Sequence, residues 1–113
     1  MKNLHNTVNL IGNLGMDPEV KKLESGKSMA RFSLGVKEMH LNEASEHVTD
    51  VQWHSIVAWG KTAEICEKYL KKGSKVALEG RLSNREYENT SGEKRYMTEV
   101  VINELMMLDT RKS

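Results

Sequence analysis

Two tryptophans, Trp53 and Trp59, stand six residues apart in VQWHSIVAWG and make up a third of the chain's six aromatic residues. Side chains on a β-strand alternate between faces, so this even spacing puts both indoles on one face. Val51 and Val57 join them there, while Gln52, His54, Ile56 and Ala58 take the other. By pattern alone the tryptophan face looks like a core; the alternative is a pair of ring surfaces left available for work at the surface. A second concentration of chemistry lies in KVALEGRLSNREYE, where Lys75, Arg81, Ser83, Arg85 and Tyr87 alternate onto one face together with Glu79. Guanidiniums beside a phenol ring suit anionic groups, and they equally suit a solvated face of mixed charge.

Catalytic chemistry finds little support. YLKKGSK lacks the first glycine and the strand-to-helix setting of a phosphate-binding loop. His40, His47 and His54 recur at intervals of seven, but two fall in a predicted loop and one in a strand, so no regular element gathers them. With a single cysteine, Cys66, on a helix face and no short-range histidine pair, a zinc site is not expected. The carboxylates of NREYENTSGEK read as solvated turn charges, not as a two-metal site. No enzyme activity, metal or cofactor is expected.

The elements that must position these residues fit one small domain of 113 residues. Lys and Arg number 17 against 16 Asp and Glu, a formal charge of +1, so any basic site must come from local arrangement. A lone cysteine excludes an intramolecular disulfide and suits a reducing compartment. The apolar run in MKNLHNTVNLIG is too short for a signal peptide and no stretch could span a bilayer, so no membrane role is expected.

Along the chain, a first strand is predicted from Asn6 to Leu14, bent at Gly12, before a turn in NLGMDPEV. SMARFSLGVKE alternates cleanly, with Ala30, Phe32, Leu34 and Val36 on one face and Met29, Arg31, Ser33, Gly35 and Lys37 on the other. MHLNEASEHVTD reads as a long polar loop before the tryptophan strand. In KTAEICEKYLKKG the period changes: Ala63, Cys66, Tyr69 and Leu70 mark a short amphipathic helix, with Lys71 and Lys72 at its end and Gly73 as its stop. Two long strands then form a hairpin about NTSGEK. Three strands, a helix and two strands pack most simply as a five-stranded barrel.

The blocks NTVNLIGNLGMDPEV, WHSIVAWGKTAEICEKYLKKGSKVALEGRL and SGEKRYMTEVV are similar, in order and interval, to the bacterial and mitochondrial single-stranded DNA-binding proteins, from about Asn6 to Ile102. The resemblance implies an all-β OB-fold: a five-stranded Greek-key barrel over residues 1–108 with one short α-helix between strands 3 and 4, and a short flexible C-terminus over 109–113. It also implies binding of single-stranded DNA with little sequence preference, in replication, recombination and repair, by a cytoplasmic, nucleoid-associated protein.

Under that resemblance Trp53, Trp59 and Tyr87 become platforms on which unpaired bases stack, a mode whose generality rests on every base having a π-face. His40 stands where the family often carries another tryptophan and is expected to stack less. Phosphate contacts are expected from Arg31, Lys37, Lys61, Lys75, Arg81, Arg85, Lys94 and Arg95. The family's usual homotetramer, or a dimer, would use His54 and the first strand through Asn6, Val8 and Leu10. Relatives continue into an acidic tail that recruits replication and repair enzymes. The sequence ends at LDTRKS, so that recruitment is not expected of this stretch. The competing expectation is an OB adaptor similar to the primosomal replication proteins, docking on a partner with DNA contact secondary.

Overall fold

A computed structural model describes residues 5–109. The strands are β1 (Val8–Leu14), β2 (Glu19–Lys22), β3 (Ser28–Leu41), β4 (His47–Trp59), β5 (Lys75–Glu88) and β6 (Lys94–Met107), with α1 (Gly60–Tyr69) between β4 and β5. They form a single sheet in the order β1-β5-β6-β4-β3-β2, and a further pairing of β1 with β3 at Asn13↔Gly35 and Leu14↔Leu34 closes five of them into a barrel. β2, the sixth strand, hangs on β3 outside that ring; it falls in the stretch expected to be only a turn. The other neighbours are antiparallel, but β4 and β6 run parallel, registering at Ile56↔Val100 and Val57↔Val101. This seam is where the Greek-key connection returns.

Inward-facing residues alternate as the period-2 reading requires. Leu14, Ala30, Phe32, Leu34, Ile56, Ala58, Val76, Leu78, Val100 and Ile102 fill the barrel, and Ala63 and Cys66 of α1, with Leu70 just past its end, pack against them. Cys66 is fully enclosed, and this burial pushes its thiol up to about 11 from an ordinary 9.0, which fits packing and not nucleophilic work. α1 stops at Tyr69, short of the predicted Gly73: Leu70 turns to extended backbone (φ −103°, ψ 148°) and carries its side chain into the core. Tyr69, assigned to the helix's apolar stripe, is instead 45 % exposed.

The predicted loop MHLNEASEHVTD is the end of a hairpin. β3 and β4 stay paired to Leu41↔His47, and the chain reverses in five residues. Asn42 N–H donates to the Glu46 carbonyl at 3.0 Å, while its Oδ1 accepts from Ala44 and Glu46 N–H groups, each at 2.9 Å. The hairpin of β5 and β6 repeats that turn at Asn89, whose Oδ1 accepts from Ser91 and Glu93 N–H groups at 2.9 Å. The left-handed position is Gly92 (φ 80°) in one turn and Ser45 (φ 62°) in the other. Nearly every residue of both hairpin ends is exposed, so the two hairpins extend past the core as arms.

Candidate nucleic-acid interface

Register decides which way the tryptophans face. Ile56 and Ala58 are fully buried, so the barrel interior takes the even-numbered row of β4, whereas Trp53 is 61 % and Trp59 37 % exposed on the outward row. The core reading of the tryptophan face is therefore overturned. In-register neighbours extend this outward face across four strands. From β3 come Arg31, Ser33, Gly35 and Lys37; from β4 Trp59, Val57, Ser55 and Trp53; from β6 Val101, Glu99, Met97 and Arg95; and from β5 Arg81, Ser83, Arg85 and Tyr87.

Each aromatic is held by something specific. Trp53 lies on glycine: a Cβ placed on Gly15 would come within 2.4 Å of its Cζ3, and one on Gly35 within 3.0 Å of both Cζ3 and Cη2. Only residues without side chains leave that berth open. Trp59 ends β4, and Gly60 (φ 59°) turns the chain at once into α1. Lys27, in the connection before β3, sets its Nζ 5.5 Å from the centroid of the Trp59 ring. Tyr87 carries the Arg85 guanidinium 5.7 Å above its ring.

Arg85 and Arg31 converge on Glu99. Nε of Arg31 donates to Oε2 at 3.0 Å and Nε of Arg85 to Oε1 at 3.3 Å, while Nη2 of Arg85 reaches Met97 Sδ at 3.6 Å. Arg31 is the in-register neighbour of Val57, so reaching Glu99 carries it across β4. Val57 is accordingly 2 % exposed although it lies on the outward row. The face thus combines three exposed rings with guanidiniums held at fixed positions, as base stacking and phosphate tracking require.

The model of the single-strand binding protein family matches residues 5–108. The chain belongs to this family. It is 44 % identical over 109 residues to single-stranded DNA-binding protein 1 of Chlorobaculum tepidum, an alignment spanning 96 % of this chain and 67 % of the relative. Among solved structures, the Plasmodium falciparum SSB complex with single-stranded DNA superimposes with a TM-score of 0.84 at 30 % identity, covering 96 % of this chain and 99 % of that one. The OB-fold inferred from sequence is thereby established.

Within the family frame, the structure gathers some predicted residues and separates others. Trp53, Trp59, Tyr87, Arg31, Lys37, Arg81, Arg85 and Arg95 share the outward face, Arg95 lying in register with Tyr87 and 3.6 Å from Glu93. Lys61 is exposed in the first turn of α1, two residues beyond Trp59. Lys75 shares the parity of Tyr87 but opens β5 beside Asn13, twelve residues and roughly 40 Å of strand away from that ring. Lys94 falls on the opposite row and pairs with Glu86 at 3.6 Å. His40 lies in register with Val48, on the row of Gln52 instead of Trp53, with Nε2 3.4 Å from Asp50 Oδ2.

The predicted oligomer residues divide likewise. β1 starts at Val8, and Asn6 precedes it, spending its amide on the same chain: Nδ2 donates to the Leu82 carbonyl and Oδ1 accepts from Leu82 N–H, at 3.1 and 2.9 Å. Val8 and Leu10 point inward and pack against the barrel core. What β1 turns outward is Asn9 and Ile11, the latter 57 % exposed. His54 is half-buried opposite Leu34. Asp109, placed in a flexible end, is tied down where its Oδ2 accepts from Lys75 N–H at 3.1 Å; residues 110–113 lie outside the described residues. Sequence reasoning passed over Lys27 and Glu99. The signal for Glu99 was a lone carboxylate at an outward position next to the apolar run VVI.

Proposed function

We infer that this protein coats single-stranded DNA with little sequence preference, bases stacking in turn on Trp53, Trp59 and Tyr87 while Arg81, Arg85, Arg95, Arg31 and Lys37 track the phosphates. The observation that carries this is the exposure of both tryptophans on one outward row, backed by a core that needs neither. Large rings left in water on a folded sheet cost solvation that a ligand with its own π-face recovers. His40, paired with Asp50 on the other row, and Lys75 and Lys94 stay outside this path. The role needs no catalytic group, and its setting is the nucleoid.

Self-association completes the reading. Beyond its pairing with β5, the Val8–Gly12 stretch of β1 has a second edge with no strand partner among the described residues. Such an edge favours pairing with a second copy. Ile11 and Met106, both exposed, line an open depression of about 440 Å³ together with Asn9, Ala77 and Glu104. A homotetramer would let one strand of DNA wrap several barrels and raise avidity without new kinds of contact.

The test is tryptophan fluorescence during titration with oligothymidine, with duplex DNA as control. Strong quenching by the single strand alone is expected. Absence of quenching in folded protein would overturn the reading and favour an adaptor.

A further inference from the structure

A carboxylate lies at the centre of the face assigned to phosphate-bearing DNA. Glu99 is 5 % exposed, yet it belongs to the outward row between the tryptophans of β4 and Tyr87 of β5. Each of its oxygens accepts from a different guanidinium, Arg31 at 3.0 Å and Arg85 at 3.3 Å. The two arginines come from opposite sides, β3 and β5, so one buried anion fastens both flanks of the parallel seam, which registers at two positions. Their side chains remain 32 % and 44 % exposed, leaving N–H groups toward solvent. A buried carboxylate with both oxygens engaged by charge-assisted bonds has nowhere better to go when a phosphate arrives.

We propose that Glu99 is a positioning residue that fixes Arg31 and Arg85 flat against the sheet and cancels half their charge, so that the pair acts toward single-stranded DNA as one positive charge. The proposal rests on the single-strand-binding reading above. Its consequence is a face that holds DNA more by stacking on rings and less by counterion release than a count of its arginines suggests.

Salt dependence reads this directly, because each phosphate neutralised on a single strand adds about 0.7 to the slope of log K against log salt. Quenching of the parent protein by oligothymidine tests the binding reading alone; slope differences between variants test this inference. Glu99→Gln keeps the size but replaces one accepting oxygen with a donating amide, so it frees one net cation and loosens one arginine, and its slope is expected to steepen by about 0.7. Glu99→Asp keeps the charge but shortens the tether, so its affinity is expected to fall with the slope unchanged. A purely structural Glu99 would give folded Glu99→Gln the parent slope, which overturns the proposal. Should Glu99→Gln not fold, the charge-balanced double variant Arg31→Gln/Glu99→Gln decides: one net cation predicts the parent slope, and a shallower slope would mean that both arginines counted independently.

Discussion

The glycine berth under Trp53 allows binding and folding to be perturbed separately with a single methyl group. An alanine at position 15 would place Cβ 2.4 Å from Cζ3 and 2.9 Å from Cη2 of Trp53, and 2.8 Å from Ser33 Oγ. Carbon atoms rest comfortably at about 3.5–4.0 Å, so the indole must retreat by roughly 1 Å or swing away. Nothing prevents it, because the ring is 61 % exposed, and Gly15 is not among the glycines with positive φ, so alanine adopts its backbone without strain. The expected cost to stability is below the roughly 1–3 kcal/mol of overpacking a closed core. Binding suffers more. Losing one stacking platform is worth about 1–3 kcal/mol, or about 5- to 150-fold in affinity.

Gly12 supplies the contrast. A Cβ there would stand 2.2 Å from the carbonyl oxygen of Gly35 and 2.9 Å from its carbon, which is backbone at the closure between β1 and β3. No side chain can yield, so Gly12→Ala is expected to cost about 3 kcal/mol or more in stability. Urea unfolding and titration with labelled oligothymidine, run on both variants, separate the two effects. Gly15→Ala with parental affinity, or with a loss of stability equal to that of Gly12→Ala, would refute the argument that this glycine serves the ring.

Other consequences are simpler to state. Phe32→Ala removes a ring that is 1 % exposed and should cost about 3–5 kcal/mol, while Trp53→Ala, from a largely exposed site, should cost well under half of that; equal midpoint shifts in urea would return Trp53 to the core. Gly92→Ala meets no atom within 4 Å but forces alanine to φ 80°, so thermal unfolding should show a loss of about 1 kcal/mol from backbone conformation alone. Burial raises the folded Cys66 thiol to about 11 from 9.0, so its contribution to stability is complete below about pH 9 and declines as pH rises toward 11. Stability should accordingly fall more steeply over that range in the parent than in Cys66→Ala, and parallel curves would contradict the assignment.

The two hairpin turns show how far local signals reach. NTSGE and NEASE place Asn first and Glu fifth and make the same pair of side-chain hydrogen bonds. The first is legible as a turn because its left-handed position is glycine; the second has Ser45 there, so the segment passed for a long loop and the last three residues of β3 and first four of β4 were lost with it. Alternation in β3 gave its inward row of Ala30, Phe32 and Leu34 correctly, but Gly35 on the outward row is buried beneath Trp53 and Val36 on the inward row is only half-buried. The parity of Lys75 was read correctly too. Parity says which side of a strand a residue takes, however, and a long strand wrapped round a barrel turns that side through different directions along its length.

The tryptophan strand marks the limit of pattern most sharply, since both its rows contain apolar residues. Val57, Trp53 and Trp59 share one row, Ile56 and Ala58 the other, and hydrophobicity cannot rank them. What ranks them is closure: a barrel of five strands has one interior, Ala58 opposite Ala30 and Ile56 opposite Phe32 fit it, and indoles do not. Val57 shows that the outward row is itself layered, being sealed under Arg31 although it faces away from the core. That seal depends on Glu99, more than forty residues further along the chain, and no window around Val57 contains the information. The rings stay at the surface because the interior excludes them, and the cations stay beside them because one buried carboxylate fastens them there. Both the exposed rings and the charge beside them are therefore properties of the closed barrel, which explains why alternation within any single strand could not find this face.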